Sequence, residues 1–468
     1  MNNVILKSYL KCKRKAWLDY KGDKSYKNWS AQKSIQLINQ YKNFSLLANG
    51  ELFRGLKACE KGYKGVIGLK LKQNLAEDIK AEVCPPLLIK TNGKSKWGKY
   101  KYIPVVSKLG RKTTKEHLFE LALCSILLES YEEVKIDFGL VVSNSQNKLS
   151  TEKVTLNKKL RNKTINVFSE MVESLRGNIP NITEDRKKCS ICPWQAFCDK
   201  EAKLKGYLTD IDGIGKKTAL ILKNIGISNF KQLALSNKFL LDRELAHFQE
   251  KNLERTSKFI NQSKSYSTGI PIKIKNDKDL DKFIFRKKSG FFAFDIESNP
   301  DEKHDFLFGF LTITRNHKGH YSENYESILN LKNDKNQIYI KKIFTKLFLN
   351  RDWPVLHYGE TEKIAILKLA EKFSLHINEM ENLKSRFIDL HLLVRETWIL
   401  PLKNYSLKTV AHWTGFRWQN NNVSGSKALF WWIQYKETAN DSFLKKIIEY
   451  NRDDCKATLH IANWLIKN

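Results

Sequence analysis

Residues 291–313 read FFAFDIESNPDEKHDFLFGFLTI, and this stretch decides the class of the C-terminal part of the chain. Phe291 to Phe294 form an unbroken apolar run that leads into Asp295-x-Glu297. A short, aromatic-rich apolar run of this kind reads as a buried strand. Side chains alternate along a strand, so Asp295 and Glu297 project from one face. Farther on, residues 443–465 read FLKKIIEYNRDDCKATLHIANWL, with the apolar spacing of an amphipathic helix. Tyr450 and Asp454 are four apart and share one face of that helix. Between these ends lie VLHYGETEKIAILKLA (355–370), which carries Glu362, and RFIDLHLLV (386–394), which carries Asp389. Asp389 sits at a strand-to-helix junction and reads as an N-cap, a supporting residue or a stand-in ligand. NYSLKTVAHWTGFRW (404–418) and SGSKALFWW (424–432) follow in order.

A DxE on a first strand with a Yx3D on a last helix resembles the RNase H-like 3′–5′ exonucleases of the DEDD class, Tyr type. The resemblance implies a mixed sheet flanked by helices over residues 288–468. It also implies Mg²⁺ or Mn²⁺ held by Asp295, Glu297, Glu362 and Asp454. Glu362 takes a place the family usually gives to Asp, and its extra methylene shifts the ligand. Tyr450 takes the role of the group that orients or deprotonates the attacking water. The chemistry explains the residue types. Two-metal phosphodiester hydrolysis needs several converging carboxylates and one group acting on the water.

Upstream, LTDIDGIGKKTALILKNIGISNFKQLA (208–234) contains Gly213-Ile214-Gly215 followed by Lys216 and Lys217. Two glycines permit a tight turn, and the N–H groups opening the next helix can face a phosphate. The string resembles a helix–hairpin–helix element within a module at 204–266. The other reading is an ordinary αα-hairpin with a glycine turn. Such contacts hold a nucleic-acid backbone without reading bases. Glu244 to Tyr266 occupies the place of a second copy, without the glycines. The polar stretch Ser263 to Lys278 reads as a linker.

The first block, residues 1–203, ends in KCSICPWQAFC (188–198), a C-x2-C-x5-C pattern of Cys189, Cys192 and Cys198. Three thiolates on one loop suit a metal centre that needs a fourth ligand. No His is near, and Cys12 in YLKCKRKAWL (9–18) is the candidate. One cysteine early and three late resembles the cluster-bearing RecB-family nucleases of the PD-(D/E)XK type. That resemblance implies a [4Fe–4S] cluster on Cys12, Cys189, Cys192 and Cys198, with zinc as the alternative. Cys59, Cys84, Cys124 and Cys455 lie in apolar stretches and read as packing residues. The family's nuclease motif maps onto CPPLLIK (84–90) and YIPVVSKLG (102–110). There Pro86 and Val106 replace the two carboxylates, and Lys108 alone remains. Glu120 stands where the family often has Gln, and Glu82 is the one acid near enough to be a displaced ligand. The block therefore reads as a degenerate nuclease fold.

The whole chain, in this order, resembles the RecB-like nuclease family with a C-terminal RNase H-like domain. It reads as a multidomain α/β protein. Lys and Arg total 82 against 50 Asp and Glu, a net charge of +32, which points to a polyanionic partner. Hydrophobic residues at 41% exclude a disordered or fibrous chain. No apolar run reaches membrane-spanning length, and Lys7, Lys11 and Lys13 interrupt any signal-peptide core, so a cytoplasmic location is expected. The expected function is metal-dependent hydrolysis of nucleic acid, DNA favoured over RNA, through the C-terminal domain. The alternative is a non-catalytic nucleic-acid-binding scaffold with remnant nuclease folds.

Overall fold

The computed structural model describes residues 1–76, 79–110, 112–145, 148–246, 255–274, 288–315, 321–331, 337–420 and 423–468. They form two units, Met1–Glu201 and Ala202–Asn468. No helix among the described residues is long and apolar enough to cross a membrane.

The first unit opens with helices α1 (Asn3–Lys11), α2 (Lys13–Lys21) and α3 (Ala31–Leu47). Strand β1 (Leu52–Arg54), helix α4 (Leu56–Glu60) and strands β2 (Gly65–Ile67), β3 (Leu71–Ala76), β4 (Ile79–Val83), β5 (Leu87–Ser95) and β6 (Gly98–Ser107) follow. Then come α5 (Lys115–Glu132), β7 (Phe138–Ser145), β8 (Lys148–Thr155), α6 (Lys158–Arg176) and, at the unit's end, α7 (Gln195–Lys205). The main sheet has the order β1-β2-β5-β6-β7-β8, and β3 with β4 makes a separate hairpin. β6 and β7 run parallel, joined through α5. α5 is apolar around much of its circumference. Leu121, Ala122, Leu123, Cys124, Leu127 and Leu128 are all fully buried, which marks a helix enclosed by its neighbours. Cys59 and Cys124 belong to this core, as expected, whereas Cys84 is exposed.

α5 ends on Glu132, a fully buried carboxyl group. One of its oxygens accepts the backbone N–H of Tyr102 at 2.7 Å, and the other has no partner. Burial pushes its pKa up to about 8. A carboxyl whose folded pKa lies above its unfolded one costs stability as pH rises through that window. Glu132→Gln should therefore stabilise the first unit at pH 7 by on the order of 2 kcal/mol. Near pH 4.5 the substitution should be close to neutral. Thermal melts of both proteins across pH 4–8 check this, and a pH-independent difference contradicts it.

The second unit begins with α8 (Lys216–Asn224), α9 (Phe230–Leu235), α10 (Lys238–Ala246) and α11 (Thr256–Thr268). Strand β9 (Ile272–Lys273) comes next, then β10 (Gly290–Asn299), β11 (His304–Arg315), β12 (Tyr321–Leu329), α12 (Ile338–Leu349) and β13 (Val355–His357). The chain continues through α13 (Glu360–Lys372), α14 (Ile377–Arg386), β14 (Phe387–Asp389), α15 (Leu390–Thr397) and β15 (Trp398–Ile399). Helices α16 (Leu407–Trp413), α17 (Gly425–Thr438) and α18 (Asp441–Lys467) complete it. The sheet order is β12-β11-β10-β13-β14, with β12, β11 and β10 antiparallel and β13 and β14 parallel to β10.

Strand alternation divides the core on β10. Phe292 and Phe294 face a cluster built with α12 and α14, through Ile340, Ile343 and Leu383. Phe291 and Ala293 face the other side, where Trp432, Tyr450 and Cys455 pack. Asp295 and Glu297 continue that second parity, so the strand delivers both acids to the side covered by α18.

The Gly-rich hairpin packs into the same unit. Asp212 pairs with Arg395 at 2.8 Å, and Asp210 pairs with Lys403 at 3.1 Å. Gln262 donates to the Leu400 carbonyl at 2.6 Å and accepts from the Tyr405 hydroxyl at 3.0 Å. The stretch Ser263–Lys278 differs from a plain linker in its first half. α11 runs through Thr268, and Ile272–Lys273 pairs with Trp398–Ile399. Buried Ser265, which donates to the Ile270 and Ile399 carbonyls, explains why a polar sequence is ordered there. Residues 275–278 of that expected linker, and 247–254 within Glu244–Tyr266, lie outside the described residues.

Candidate active site

The site is built where α18 crosses β10 and β11. That approach depends on Gly309, which stands opposite Asp295 in the β10–β11 register. A Cβ at Gly309 would lie 1.6 Å from Asn451 Oδ1, so only glycine leaves room for the Asn451 side chain in its observed place. Asn451 uses the close contact. Its Nδ2 donates to Asp295 Oδ2 at 2.7 Å, and its Oδ1 accepts from the Tyr325 hydroxyl at 2.8 Å. Gly309→Ala should displace the Asn451 side chain from its bonds to Asp295 and Tyr325 and cost about 1–3 kcal/mol, as overpacking of a tight contact does. A melt checks it, and a wild-type melting temperature contradicts the packing described.

Asp295, Glu297 and Asp454 offer carboxylate oxygens that all lie within 4.8 Å of one another. Among the described residues they form the one such group of three. Glu297 and Asp454 are buried, and Asp295 is partly so. Removal from water and mutual repulsion raise all three pKa values. For Asp295 the causes are burial first, then Asp454, Glu297 and Glu362. Glu297 is raised well above its usual range by burial and by Asp454. Asp454 is pushed up to about 6 by burial, against the opposing pull of Trp418, Lys408 and Tyr450. Trp418 fixes that carboxylate by donating Nε1–H to Oδ1 at 2.7 Å.

Glu362 lies outside the 4.8 Å group, in the first turn of α13. It is 8% exposed, and Oε2 is buried with no hydrogen-bond partner. Burial pushes its pKa up to about 7, with Asp389 and Asp454 adding repulsion. Asp389 caps α15: Oδ1 accepts from His391 N–H at 2.8 Å. The same oxygen accepts from Gly359 N–H at 2.9 Å. Gly359, at φ +109°, opens α13, so Asp389 also sets where Glu362 begins its reach. Of its three sequence readings, the contacts fit an N-cap and a supporting residue.

Tyr450 is buried on α18, one turn before Asp454. Its hydroxyl pKa is raised well above the usual value by burial, then by Asp454, Glu297 and Asp295. Lys408, in the first turn of α16, holds its ammonium 4.9 Å from the Tyr450 ring centre and 5.4 Å from that of Trp418. The sequence patterns assign no role to Lys408, Trp418 or Asn451. The signal was present: all three sit in the YSLK, FRW and YNRDD strings that carried the resemblance.

In the first unit, the four candidate cysteines share one neighbourhood. The Cys189 thiol is pushed up to about 11 by burial, with Cys192, Cys12 and Cys198 adding to the rise and Arg186 opposing it. Cys12 breaks α1 from α2 in an extended conformation, and its Sγ accepts Lys15 N–H at 3.4 Å. Cys192 N–H returns to the Cys189 carbonyl at 3.0 Å, and Cys198 N–H to that of Trp194 at 3.0 Å. Trp194 is anchored in turn by Nε1–H to Asp19 at 2.9 Å.

The segments matched to a nuclease motif place Pro86 just before β5 and Val106 buried in β6. Lys108 follows β6 and pairs with Glu152 of β8 at 2.7 Å. Glu120 is buried and engaged by Asn3 and Lys7, each at 3.0 Å, and Glu82 pairs with Lys72 at 3.3 Å.

In the hairpin, Gly213 takes φ +86°, and Gly215 is the N-cap of α8, which begins with exposed Lys216 and Lys217. Ile211, Ile214, Ala219 and Leu222 turn inward to a small core with Phe230 and Phe259.

No curated protein matches the chain. Residues 292–466 match the RNase H superfamily, the span that runs from the strand of Asp295 and Glu297 to the helix of Asp454, and the C-terminal part of the chain is an RNase H-like domain.

Proposed function

We propose that this protein is a metal-dependent nuclease that hydrolyses phosphodiester bonds through its C-terminal domain, as a 3′–5′ exonuclease with DNA favoured over RNA. The convergence of Asp295, Glu297 and Asp454 within 4.8 Å carries the reading. Three mutually repelling acids in a shielded site fit a divalent cation, and an all-oxygen donor set suits Mg²⁺ or Mn²⁺. The orphaned Oε2 of Glu362 fits a further ligand to the same metals. Bound metal supplies charge neutralisation of the phosphoryl group and of the attacking and leaving oxygens. The chain's own residues do the rest. Asn451 and Trp418 hold Asp295 and Asp454 in place, and Tyr450 orients the water through its hydroxyl.

Three supporting parts complete the reading. Gly213, Gly215, Lys216 and Lys217 hold the nucleic-acid backbone in the manner of a helix–hairpin–helix. Cys12, Cys189, Cys192 and Cys198 hold a [4Fe–4S] cluster. The mutual influence of these thiols supports their convergence on one centre, and the preference for iron–sulfur over zinc rests on the resemblance. The Pro86 and Val106 replacements support an eroded N-terminal nuclease site. The net charge of +32 supports a polyanionic substrate.

The need for a free end is tested with linear and circular single-stranded DNA labelled uniformly, and the direction with linear strands labelled at the 5′ end, which should shorten through a ladder of labelled products. Linear strands should fall to mononucleotides from the 3′ end with Mn²⁺ while circles persist; degraded circles overturn the exonuclease assignment. For the hairpin, Gly213→Asp with Lys216→Glu should weaken binding to all sequences alike and flatten its salt dependence. Unchanged affinity in a filter-binding titration returns that element to an ordinary αα-hairpin.

A further inference from the structure

Lys408 has a placement that packing does not explain. Its ammonium lies over two aromatic faces, Tyr450 and Trp418, the same two residues that act on Asp454. Its ammonium feels Asp454 and Glu297 as its opposite charges, and Lys427 as a like charge. Yet no described acid comes within ion-pair distance of it, and no hydrogen bond from it to a described residue is formed. A ring face attracts an ammonium without saturating its N–H donors. A lysine kept only to balance the carboxylates would instead close a direct ion pair with one of them. Here the cation is fixed in position, half-buried, beside the acid group, with its donors unspent.

We propose that Lys408 is a substrate-contacting residue, whose ammonium donates to a non-bridging oxygen of the phosphate held at Asp295, Glu297 and Asp454. This rests on the nuclease reading and deepens it: the site recognises a terminal nucleotide by its phosphate, from the side of α16. Charge-assisted contacts of this kind are strong when partly shielded from water.

The test uses full-length protein and three variants, Lys408→Met, Lys408→Gln and Lys408→Arg. Met keeps an apolar side chain of similar length, and a melt with each variant confirms folding. Calorimetry reads Mn²⁺ alone, then thymidine 5′-monophosphate in the presence of Ca²⁺, a cation that takes the same oxygen ligands. Lys408→Met and Lys408→Gln should bind the nucleotide about tenfold more weakly or worse, with Mn²⁺ affinity unchanged or increased. Lys408→Arg should retain much of the nucleotide affinity. Unchanged nucleotide affinity in the Met and Gln variants overturns the proposal, as does a wild type that binds Mn²⁺ and no nucleotide. Cleavage is read separately. A wild type without hydrolysis sinks the nuclease reading, while nucleotide affinity still decides Lys408.

Discussion

Asp295→Asn is expected to lower metal-dependent hydrolysis by about a thousandfold or more, since one lost member of such a carboxylate set costs several kcal/mol of transition-state stabilisation. The same variant should be more stable than wild type in chelator. Burial and three neighbouring acids hold the Asp295 pKa above its ordinary value, so the folded state resists ionising it. Stability of the wild type therefore falls as pH rises past the unfolded carboxyl range, and the neutral amide of the variant removes that cost. The gap between the two melting temperatures should widen from pH 5 to pH 8. Mn²⁺ should reverse the order, because the cation stabilises only a protein that can hold it. Tyr450→Phe should be milder, since it keeps the ring under Lys408 and loses only the hydroxyl. A variant with wild-type hydrolysis, or one less stable than wild type in chelator, would contradict the site described.

If Cys12, Cys189, Cys192 and Cys198 hold the proposed cluster, Cys12→Ala is expected to remove it and to destabilise the first unit by about 3 kcal/mol or more, because binding energy at a structural metal site is folding energy. Cys12 stands between α1 and α2, while Cys189 and Cys192 lie in the segment leading into α7 and Cys198 in the first turn of α7 itself. Bridging them ties the start of the unit to its end, which restricts the unfolded chain most. Anaerobically purified wild type should be brown and contain iron and sulfide. The variant should lose the colour, and Cys84→Ala, at an exposed cysteine, should keep it. Stoichiometric zinc without iron would overturn the cluster and retain the four ligands.

Local periodicity carried much of the C-terminal domain. The alternation through Phe291–Glu297 placed both acids on one face, and the four-residue step from Tyr450 to Asp454 placed them on one turn of α18. Those rules act within an element, and they hold wherever the element lands. What they do not encode is the approach of one element to another. Gly309 reads as a weak point in a strand until α18 is laid on it and Asn451 fills the space a Cβ would take. Trp418 and Lys408 reach the site from outside any regular period, through a loop and a helix start. Glu362 lies on a helix, as its local sequence suggests, yet its distance from the other acids follows from how Asp389 and Gly359 fix the start of α13. The polar sequence around Ser263 suggested a tether, because nothing local shows that Gln262 and Ser265 will be matched by the carbonyls of Ile399 and Leu400.

The most direct test of the carboxylate site follows release of label from single- and double-stranded DNA and RNA, using wild type and Asp295→Asn, with Mg²⁺, with Mn²⁺ and with chelator. Wild type should degrade at least one substrate with either cation and none in chelator, and Asp295→Asn should leave all of them intact while still binding them. Tight binding by the wild type with no cleavage of any substrate under Mg²⁺ or Mn²⁺ would contradict the account and leave a nucleic-acid-binding scaffold in its place.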